Sequence, residues 1–413
     1  MIGRPAGSVV ATRGHLIEAE LPFARVGDGV RVCARDVAVN ARVAALHGAR
    51  IVLSPFGGVE GVAAGDRVES DASVLAVALG TPLLGRAIDA AGAPLDGLRA
   101  PLGHRRRATL AARPVGERRP CSEVLWTGVR AIDGPLAIGR GARVGLFGAA
   151  GAGKSTLLDA VMRGAAVDAV VLALIGERGR EAERRIAGID ARTSIVCATS
   201  DRAPAERVRA AELAFVQADA LRARGLDVLL VVDSLARIAA AARELALAAG
   251  EPSGRAGYPP GAFALLARLL EGAGPAGDGS VTLVATVLSE GPDLHDPVCE
   301  AARATLDGHL VLSDRLAQAG RFPALDVPRS LSRTMAEVAT PEHAAAARVL
   351  RAATAALEDS RDARSLGIAS EDPFLARCVA HEAALEGFLR QGAEPTPAHE
   401  TLTELRRLAD ILT

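Results

Sequence analysis

Short runs of apolar residues, separated by glycine, proline and aspartate, fill the first part of the chain. Four of these runs predict β-strands, at residues 8–11, 16–19, 29–33 and 49–53. Closely spaced short strands with turn residues between them are typical of a small barrel. We therefore expect an N-terminal β-barrel over residues 1–72.

Longer apolar runs alternate with helical patterns after residue 139. Strands that alternate with helices form a parallel sheet that is covered on both faces, so we expect an α/β domain over residues 73–339. Residues 75–120, which include the basic run 105–107, are interpreted as connecting segments. The predicted strands are 142–147, 167–175, 227–232, 281–288 and 309–313, and the predicted helices are 155–163, 204–224, 244–249 and 263–271.

The last part of the chain has the pattern of helices alone. Thr340 followed by Pro341 has the form of an N-cap with proline at the first helical position. Helical spacing continues over 344–357, 382–389 and 402–412, with prolines between the helices. We therefore predict a C-terminal helical domain over residues 340–413.

Composition favours a globular protein with a large core. Of the 413 residues 49% are apolar and 2% are aromatic, and the formal net charge is −1. A protein so close to neutral has no overall field that attracts nucleic acid or a membrane surface. The five cysteines have no metal-ligand spacing, and no apolar run reaches the roughly 20 residues of a membrane span. We expect a soluble, cytoplasmic protein with reduced thiols.

The one lysine among 48 Lys and Arg residues lies in a glycine-rich string. Gly148-Ala-Ala-Gly-Ala-Gly-Lys154-Ser155 matches the P-loop pattern, between a predicted strand and a predicted helix. Amides at a helix N-terminus bind phosphate, and a compact ammonium suits the β/γ-phosphates better than a planar guanidinium. We predict a nucleotide-binding loop whose Ser155 hydroxyl holds Mg²⁺. Its nucleotide-binding residues are Gly148, Gly151, Ala152, Gly153, Lys154, Ser155 and Thr156.

Acidic residues follow two of the predicted strands. Val228-Leu-Leu-Val-Val-Asp233 has the form of a Walker-B strand, whose aspartate would hold Mg²⁺ through water. Gly176-Glu-Arg-Gly-Arg-Glu181 follows another buried strand, and a carboxylate there would orient water against a γ-phosphate. From the residues alone a solvated charged loop is the commoner explanation. The choice between Glu177 and Glu181 also stays open at this point.

Further strings keep a common order and spacing with these motifs, from about residue 8 to about residue 390. They are Gly85-Arg-Ala-Ile-Asp89, Thr127-Gly-Val-Arg-Ala-Ile-Asp-Gly134, Gly250-Glu-Pro-Ser-Gly-Arg-Ala-Gly-Tyr258, Leu306-Asp-Gly-His-Leu-Val-Leu-Ser313 and Phe322-Pro-Ala-Leu-Asp-Val-Pro-Arg-Ser-Leu-Ser-Arg333. Together the motifs resemble the ATPases of type III secretion systems and their flagellar-export relatives. That family is similar to the catalytic subunits of rotary ATP synthases. The resemblance implies a RecA-like P-loop NTPase core between the barrel and the C-terminal helices.

Particular side chains acquire roles through this resemblance. Glu177 would polarise the attacking water, and Arg178 beside it would help to hold the site. Arg237 would approach the γ-phosphate, and Arg333 would be an arginine finger that reaches the neighbouring subunit's site. Phe322 stands where the family has a tyrosine packed against adenine. With the P-loop, the implied catalytic residues are Lys154, Glu177, Arg178, Arg237 and Arg333.

The resemblance also implies partners and a place of action. A homo-hexamer would hydrolyse ATP with Mg²⁺, and would release exported proteins from their chaperones and unfold them at an export gate. It would lie peripherally on the cytoplasmic face of the inner membrane. A central coiled-coil stalk would enter the pore, which Tyr258 would face. A stator-like regulator would meet the barrel, and the helices of 340–413 would receive chaperone–effector complexes. We expect no nucleic-acid partner.

Departures from related families leave alternatives. The acidic rotor-contacting motif of ATP-synthase catalytic subunits is not visible after residue 340, which favours export over a rotary proton-translocating ATPase. A flagellar-export ATPase stays an alternative, and residues 288–297 deviate from the family's usual acidic segment. A ring-shaped RNA translocase is disfavoured by the charge of −1 and the single tryptophan. A nucleotide-binding subunit without catalysis is disfavoured by the presence of both Glu177 and Arg333.

Overall fold

The computed structural model describes residues 5–110, 116, 118–149, 151–288, 296–368 and 370–413. Most of the divergent segment 288–297 therefore lies outside the described residues. The strands are β1 (Ala6–Arg13), β2 (Leu16–Glu20), β3 (Gly29–Cys33), β4 (Ala38–His47), β5 (Arg50–Pro55), β6 (Arg67–Ser70), β7 (Ala76–Ala78), β8 (Arg86–Ile88), β9 (Arg105–Arg107), β10 (Val124–Leu125), β11 (Ile138–Gly139), β12 (Arg143–Gly148), β13 (Ala169–Ile175), β14 (Thr193–Ala198), β15 (Asp227–Asp233), β16 (Gly274–Ala276), β17 (Gly279–Leu288), β18 (Gly308–Leu312) and β19 (Leu325–Ser332).

The α-helices of the described residues all begin after residue 129. They are α1 (Arg130–Asp133), α2 (Lys154–Gly164), α3 (Gly179–Ala187), α4 (Pro204–Arg222), α5 (Leu235–Ala248), α6 (Pro260–Leu270), α7 (Pro297–Thr305), α8 (Asp314–Gln318), α9 (Met335–Val338), α10 (Pro341–Asp359), α11 (Arg361–Ser365), α12 (Pro373–Ala380), α13 (Glu382–Leu389) and α14 (Ala398–Leu412). Among the described residues, none of the helices combines the length and the apolar character that a bilayer crossing requires.

Two compact units make up the chain. Unit 1 comprises Met1–Arg113, Ala169–Arg224 and Val232–Gly272, and unit 2 comprises Pro114–Asp168, Gly225–Val231 and Ala273–Thr413. The division falls within β15, whose last two residues belong to unit 1.

Unit 1 contains a closed six-stranded barrel in the order β1-β2-β5-β4-β3-β6. Its interior is filled by aliphatic side chains from alternate strand positions, such as Ile17 and Ala19 on β2 and Val30 and Val32 on β3. The predicted barrel is confirmed. β4 and β6 were not predicted as strands, whereas the four predicted runs correspond to β1, β2, β3 and β5.

The rest of unit 1 is an α/β layer. β13 pairs with β14 and β14 pairs with β8, all in parallel, and α4 packs against β13 and β14. β8 lies inside the segment 75–120, as do β7 and β9, so the interpretation of this whole segment as connections is wrong. β8 is only three residues long, which is too short for its own apolar pattern to be recognised.

Unit 2 contains strands in the order β19-β18-β12-β17, with β15 beyond β17. β12 is parallel to both β17 and β18, and β19 closes the edge in the antiparallel direction. Nearly every residue of β12 and β17 is buried, as expected for parallel strands that are covered on both faces.

The C-terminal helices of unit 2 pack around α10, which contacts α12, α13 and α14. α10 begins as predicted, because the Thr340 hydroxyl accepts a hydrogen bond from the backbone N–H of His343 and Pro341 occupies the first turn. The predicted fold class, an α/β core with an N-terminal barrel and C-terminal helices, is confirmed. The exact domain limits at residues 72 and 339 stay predictions.

Candidate functional site

The predicted P-loop joins β12 to α2 in unit 2. Gly151 has a φ of 87° and Gly153 has a φ of 91°. Glycine adopts this left-handed conformation without the strain that a side chain would add. The glycines therefore let the chain leave the buried end of β12 and enter α2 within a few residues. Ala152 between them is buried, and Ala150 lies outside the described residues.

The side chain of Lys154 lies against this loop. Its Nζ donates to the carbonyl oxygen of Gly148 at 2.7 Å and also to that of Ala149. Ser155 and Thr156 are exposed in the first turn of α2. That turn, all of which the structure describes, carries no acidic side chain, and the helix macrodipole favours an anion at this end. Amides, hydroxyls and an ammonium thus converge on a site suited to phosphate.

A cavity of about 300 Å³ lies beside the same helix in unit 2. α2 supplies one wall with Gly153, Thr156 and Ala160, and the turn at Phe322 and Pro323 supplies another. The ring of Phe322 is 43% exposed, and a Cβ placed on Gly153 would lie 3.6 Å from its edge. A third wall comes from residues 391–393, which the sequence motifs did not identify.

The acidic group predicted after the other strands lies in unit 1. Gly176 turns the chain out of β13 with a φ of 72°, and a Cβ there would lie 2.9 Å from the side chain of Arg237. Arg237 donates to the carbonyl oxygen of Gly176, and its Nε lies 3.3 Å from Oε1 of Glu177. Ser234 begins α5 by accepting a hydrogen bond from the backbone N–H of Arg237. The turn after Asp233 therefore aims Arg237 at Glu177.

Burial raises the pKa of the Glu177 carboxyl group in this cluster. Glu177 is 8% exposed, and burial raises its pKa to about 7. The negative charge of Asp233 and a hydrogen bond with Glu181 add to the increase, and Arg237 opposes it. Burial also lowers the pKa of Arg185, which the charge of Asp233 partly offsets. Arg185 is a cation of this cluster that sequence reasoning missed, because nothing in the motif distinguishes it from other arginines.

Two predicted arginines lie outside these contacts. Arg178 precedes α3 as its N-cap and is exposed, while the cation beside Glu177 is Arg237. Arg333 follows β19, is exposed, and has its backbone N–H bonded to the carbonyl oxygen of Asp307 at 2.9 Å. Tyr258 packs against Phe263 with ring centroids 5.6 Å apart.

The structure thus brings together Glu177, Asp233 and Arg237 in unit 1. In unit 2 it places Lys154 and Ser155 at the start of α2, next to Gly153, which lines the cavity together with Phe322. Mg²⁺ typically takes one or two protein oxygens and completes its shell with phosphates and water. The exposed hydroxyl of Ser155 and the half-buried carboxylate of Asp233 are oxygen donors of this kind. The donor chemistry fits Mg²⁺, and the individual roles of all these residues stay predictions.

Two family models and several known proteins match the chain. The family model "ATP synthase alpha/beta family, nucleotide-binding domain" matches residues 128–332, and the model "T3SS EscN ATPase C-terminal domain" matches residues 339–407. The type 3 secretion system ATPase of Pseudomonas syringae pv. tomato is 41% identical over 425 residues, which cover 99% of this chain and 95% of that relative. The flagellum-specific ATP synthase of Salmonella typhimurium is 43% identical over 372 residues, which cover 86% of this chain and 81% of that relative.

Solved structures are similar to the chain over nearly its whole length. The assembled ATPase EscN of the enteropathogenic E. coli type III secretion system has a TM-score of 0.91 and 36% identity, covering 98% of this chain and 100% of that one. EscN in complex with its central stalk EscO has a TM-score of 0.89 and 35% identity, with the same coverage. On this evidence the chain belongs to the family of type III secretion ATPases and flagellum-specific ATP synthases, whose nucleotide-binding domain is that of the ATP synthase alpha/beta family.

Proposed function

We propose that this protein hydrolyses ATP in a Mg²⁺-dependent reaction and thereby energises type III protein secretion. One observation carries the proposal: the phosphate-binding loop and the cavity with Phe322 lie along the same helix, α2. A nucleotide with its phosphates at the start of α2 would place its base in that cavity. The names of the relatives support hydrolysis and secretion as the outcome.

Phosphoryl transfer depends mainly on positioning and on neutralisation of charge. Ser155 and Asp233 would hold Mg²⁺, which supplies positive charge to the phosphate oxygens when it is bound. Lys154 would bind the β/γ-phosphates with its ammonium. Glu177 would accept a hydrogen bond from the attacking water, since a carboxyl whose pKa is near neutrality accepts such a proton well.

The remaining arginines would share the γ-phosphate charge. Arg237 would hold Glu177 in place and approach the γ-phosphate, and Arg178 would support the same loop. Arg333 would act from the neighbouring subunit of a homo-hexamer. Its exposed side chain, on a backbone fixed to Asp307, supports an action outside its own subunit. The relative EscN is described as an assembled ATPase, which supports an oligomer.

The wider partners follow from the family. EscN has been solved with its central stalk EscO, which supports a stalk in the pore of this ring, near Tyr258. Chaperone–effector complexes on the helices of 340–413, a stator-like regulator on the barrel and an export gate at the inner membrane complete the proposal. The protein would act in the cytoplasm, peripherally on that membrane.

Flagellar export is the second candidate. The flagellum-specific ATP synthase of Salmonella typhimurium is 43% identical, against 41% for the Pseudomonas syringae secretion ATPase, so identity does not separate the two. Expression in two strains, one lacking its flagellar export ATPase and one lacking its secretion ATPase, would separate them. We expect restored effector secretion; restored swimming alone would favour the flagellar role.

Phosphate release measured across a range of protein concentrations tests the enzymatic proposal. Specific activity should rise with concentration as the ring assembles. Glu177→Gln should lose most turnover, whereas the matched variant Glu181→Gln should retain it, because Glu181 is exposed and Glu177 is buried. Normal turnover by Glu177→Gln would overturn the assignment of the water-polarising residue. Absence of Mg²⁺-dependent phosphate release by the unaltered protein would overturn the function itself.

A further inference from the structure

One wall of the cavity beside α2 belongs to the segment that follows α13, at residues 391–393. Gln391 joins this wall to two other parts of unit 2. Its backbone N–H donates to the carbonyl oxygen of Phe322 at 2.9 Å. Its side-chain Oε1 accepts from the N–H of Arg130 at 2.8 Å, and its Nε2 donates to the carbonyl oxygens of Gly128 at 2.6 Å and Glu394 at 2.8 Å.

The hydrogen bonds that the Gln391 amide makes within the protein limit its contacts with a ligand. A glutamine Nε2 has two protons, and Gly128 and Glu394 accept both. The side chain of Gln391 therefore links two backbone segments, and we call it the strut. It has no N–H left to donate to the edge of a base. The backbone stretch that it holds on the far side contains Val129, which lines the same cavity.

Three arginines hold this wall and the end of α13 that precedes it. Arg130 donates to the carbonyl oxygens of Phe388 at 3.1 Å and Gly387 at 3.2 Å, at the end of α13 where a cation is favoured. Arg163, in the last turn of α2, donates to the carbonyl oxygen of Ala393 at 2.7 Å. Arg321, next to Phe322, pairs with Glu386 of α13 at 2.8 Å.

The two backbone segments that Gln391 links also pack closely against each other. A Cβ added to Gly128 would lie 2.6 Å from Cβ of Pro395, and the N–H of Thr396 donates to the carbonyl oxygen of Gly128 at 2.9 Å. The segment around Gly128 and the segment that follows Gln391 are therefore packed with little room between them. A displacement of α13 would be transmitted to Val129 and Phe322 together.

We propose that Gln391 is a positioning residue for the nucleotide base, and that it couples the base cavity to α13 in the C-terminal helical region. The inference rests on the proposed function, because it takes the cavity beside α2 to be the base site. The side chain keeps Val129, Phe322 and the wall of 391–393 at a fixed separation, so that a planar ring is gripped from both faces. The phosphate site at the start of α2 has its own contacts and does not need the strut.

Two ligands that share phosphates but differ in the base test this proposal. Mg²⁺–ATP uses both parts of the site, whereas Mg²⁺–tripolyphosphate uses the phosphate part alone. Gln391→Leu should weaken ATP binding in calorimetry by about tenfold, which corresponds to about 1.4 kcal/mol. Its tripolyphosphate affinity should stay within about twofold of the unaltered protein. In turnover, KM for ATP should rise while kcat stays within about twofold, as for a contact made equally in the ground and transition states.

Gln217 provides a matched control in unit 1. Its amide is fully buried, whereas that of Gln391 is partly buried, and it also bonds to backbone, accepting from the N–H of Gly80 at 2.7 Å and donating to the carbonyl oxygen of Gly80 at 2.9 Å. Gln217→Leu should lower thermal stability without changing the ratio of ATP to tripolyphosphate affinity. If it changed that ratio as much as Gln391→Leu does, the ratio would report general damage and the proposal would fail.

Other results have separate meanings. Equal weakening of both ligands by Gln391→Leu, or unchanged ATP binding, would refute the positioning role. Failure of the unaltered protein to bind either ligand would refute the proposed function instead. If Gln391→Leu does not fold, Gln391→Glu keeps the size and one acceptor but removes both donations to carbonyl oxygens. It should show the same selective loss of ATP binding, and a nonselective loss would count against the strut.

Discussion

Arg333→Ala should lower turnover strongly while leaving stability nearly unchanged. The residue lies on a fixed backbone: its N–H is bonded to Asp307, the Ser332 hydroxyl donates to the carbonyl oxygen of Ala137 at 2.7 Å, and Thr334 accepts from the N–H of Gly139 at 2.9 Å. The guanidinium itself is exposed. Removing an exposed side chain of this kind changes stability by about 0.5 kcal/mol or less.

The expected loss of turnover is far larger. An arginine supplied from a neighbouring subunit contributes about 10³–10⁵ to phosphoryl transfer, or about 4–7 kcal/mol of barrier. ATP binding should be nearly unchanged, because the P-loop of the altered subunit is intact. Arg329→Ala is the matched control, since Arg329 is also exposed and lies on β19, four residues before Arg333. It should keep turnover within about twofold.

Mixing two inactive variants tests whether the arginine acts between subunits. An Arg333→Ala subunit keeps Glu177, and a Glu177→Gln subunit keeps Arg333. In a ring with heterologous interfaces, about one quarter of the interfaces in an equal mixture would pair an intact site with an intact arginine. Phosphate release should therefore recover to about one quarter of the unaltered level. No recovery on mixing, or normal turnover by Arg333→Ala alone, would refute the reasoning.

Three further substitutions probe charge and burial. Lys154→Arg should weaken Mg²⁺–ATP binding in calorimetry at least about tenfold, because a guanidinium is larger than the ammonium held by Gly148. Glu212→Gln should lower the free energy of unfolding in urea by about 1–3 kcal/mol, the range for losing hydrogen bonds to charged groups. Buried Glu212 pairs with Arg42 at 2.6 Å and with Arg268 at 2.8 Å, and both arginine side chains are partly exposed. Burial raises the pKa of Asp133 to about 7, so the fold favours the protonated carboxyl group. The free energy of unfolding should therefore fall as the pH rises from about 4 to 7, by at most about 1.4 kcal/mol per pH unit. Denaturation of Asp133→Asn across this pH range should lack that part of the slope.

Local sequence predicted the parts of the site that consecutive residues build. The P-loop, the strand that ends at Asp233 and the turn at Gly176 each depend on a few neighbouring residues, and each lies where it was expected. The difference in burial between Glu177 and Glu181 did not follow from the motif. Glu177 is buried beside Arg237, whereas Glu181 is exposed, and this difference arises from tertiary packing.

Long-range packing explains what the sequence did not reveal. The third wall of the cavity comes from residues 391–393, far along the chain from Lys154. It depends on hydrogen bonds that the side chains of Arg130 and Gln391 donate to backbone carbonyl oxygens. Every residue type has a backbone carbonyl, so the sequence does not show which side chains donate hydrogen bonds to it. Arg130 and Gln391 therefore look like ordinary surface residues in the sequence. β8 escaped notice for a related reason, since a three-residue strand is defined by its pairing with β14.

The use of arginine and lysine in this chain follows from the geometry that each site requires. Arg130 and Arg364 each reach several acceptors at once, which suits a planar fork with several donors. Lys154 has a different task, because its ammonium lies between the carbonyl oxygens of a tight loop at the start of α2. A point charge on a flexible stem can turn from those carbonyls toward a phosphate, whereas a rigid fork could not turn within the same space. Whatever favoured arginine elsewhere in the chain would therefore have been opposed at this one position by the size of the loop.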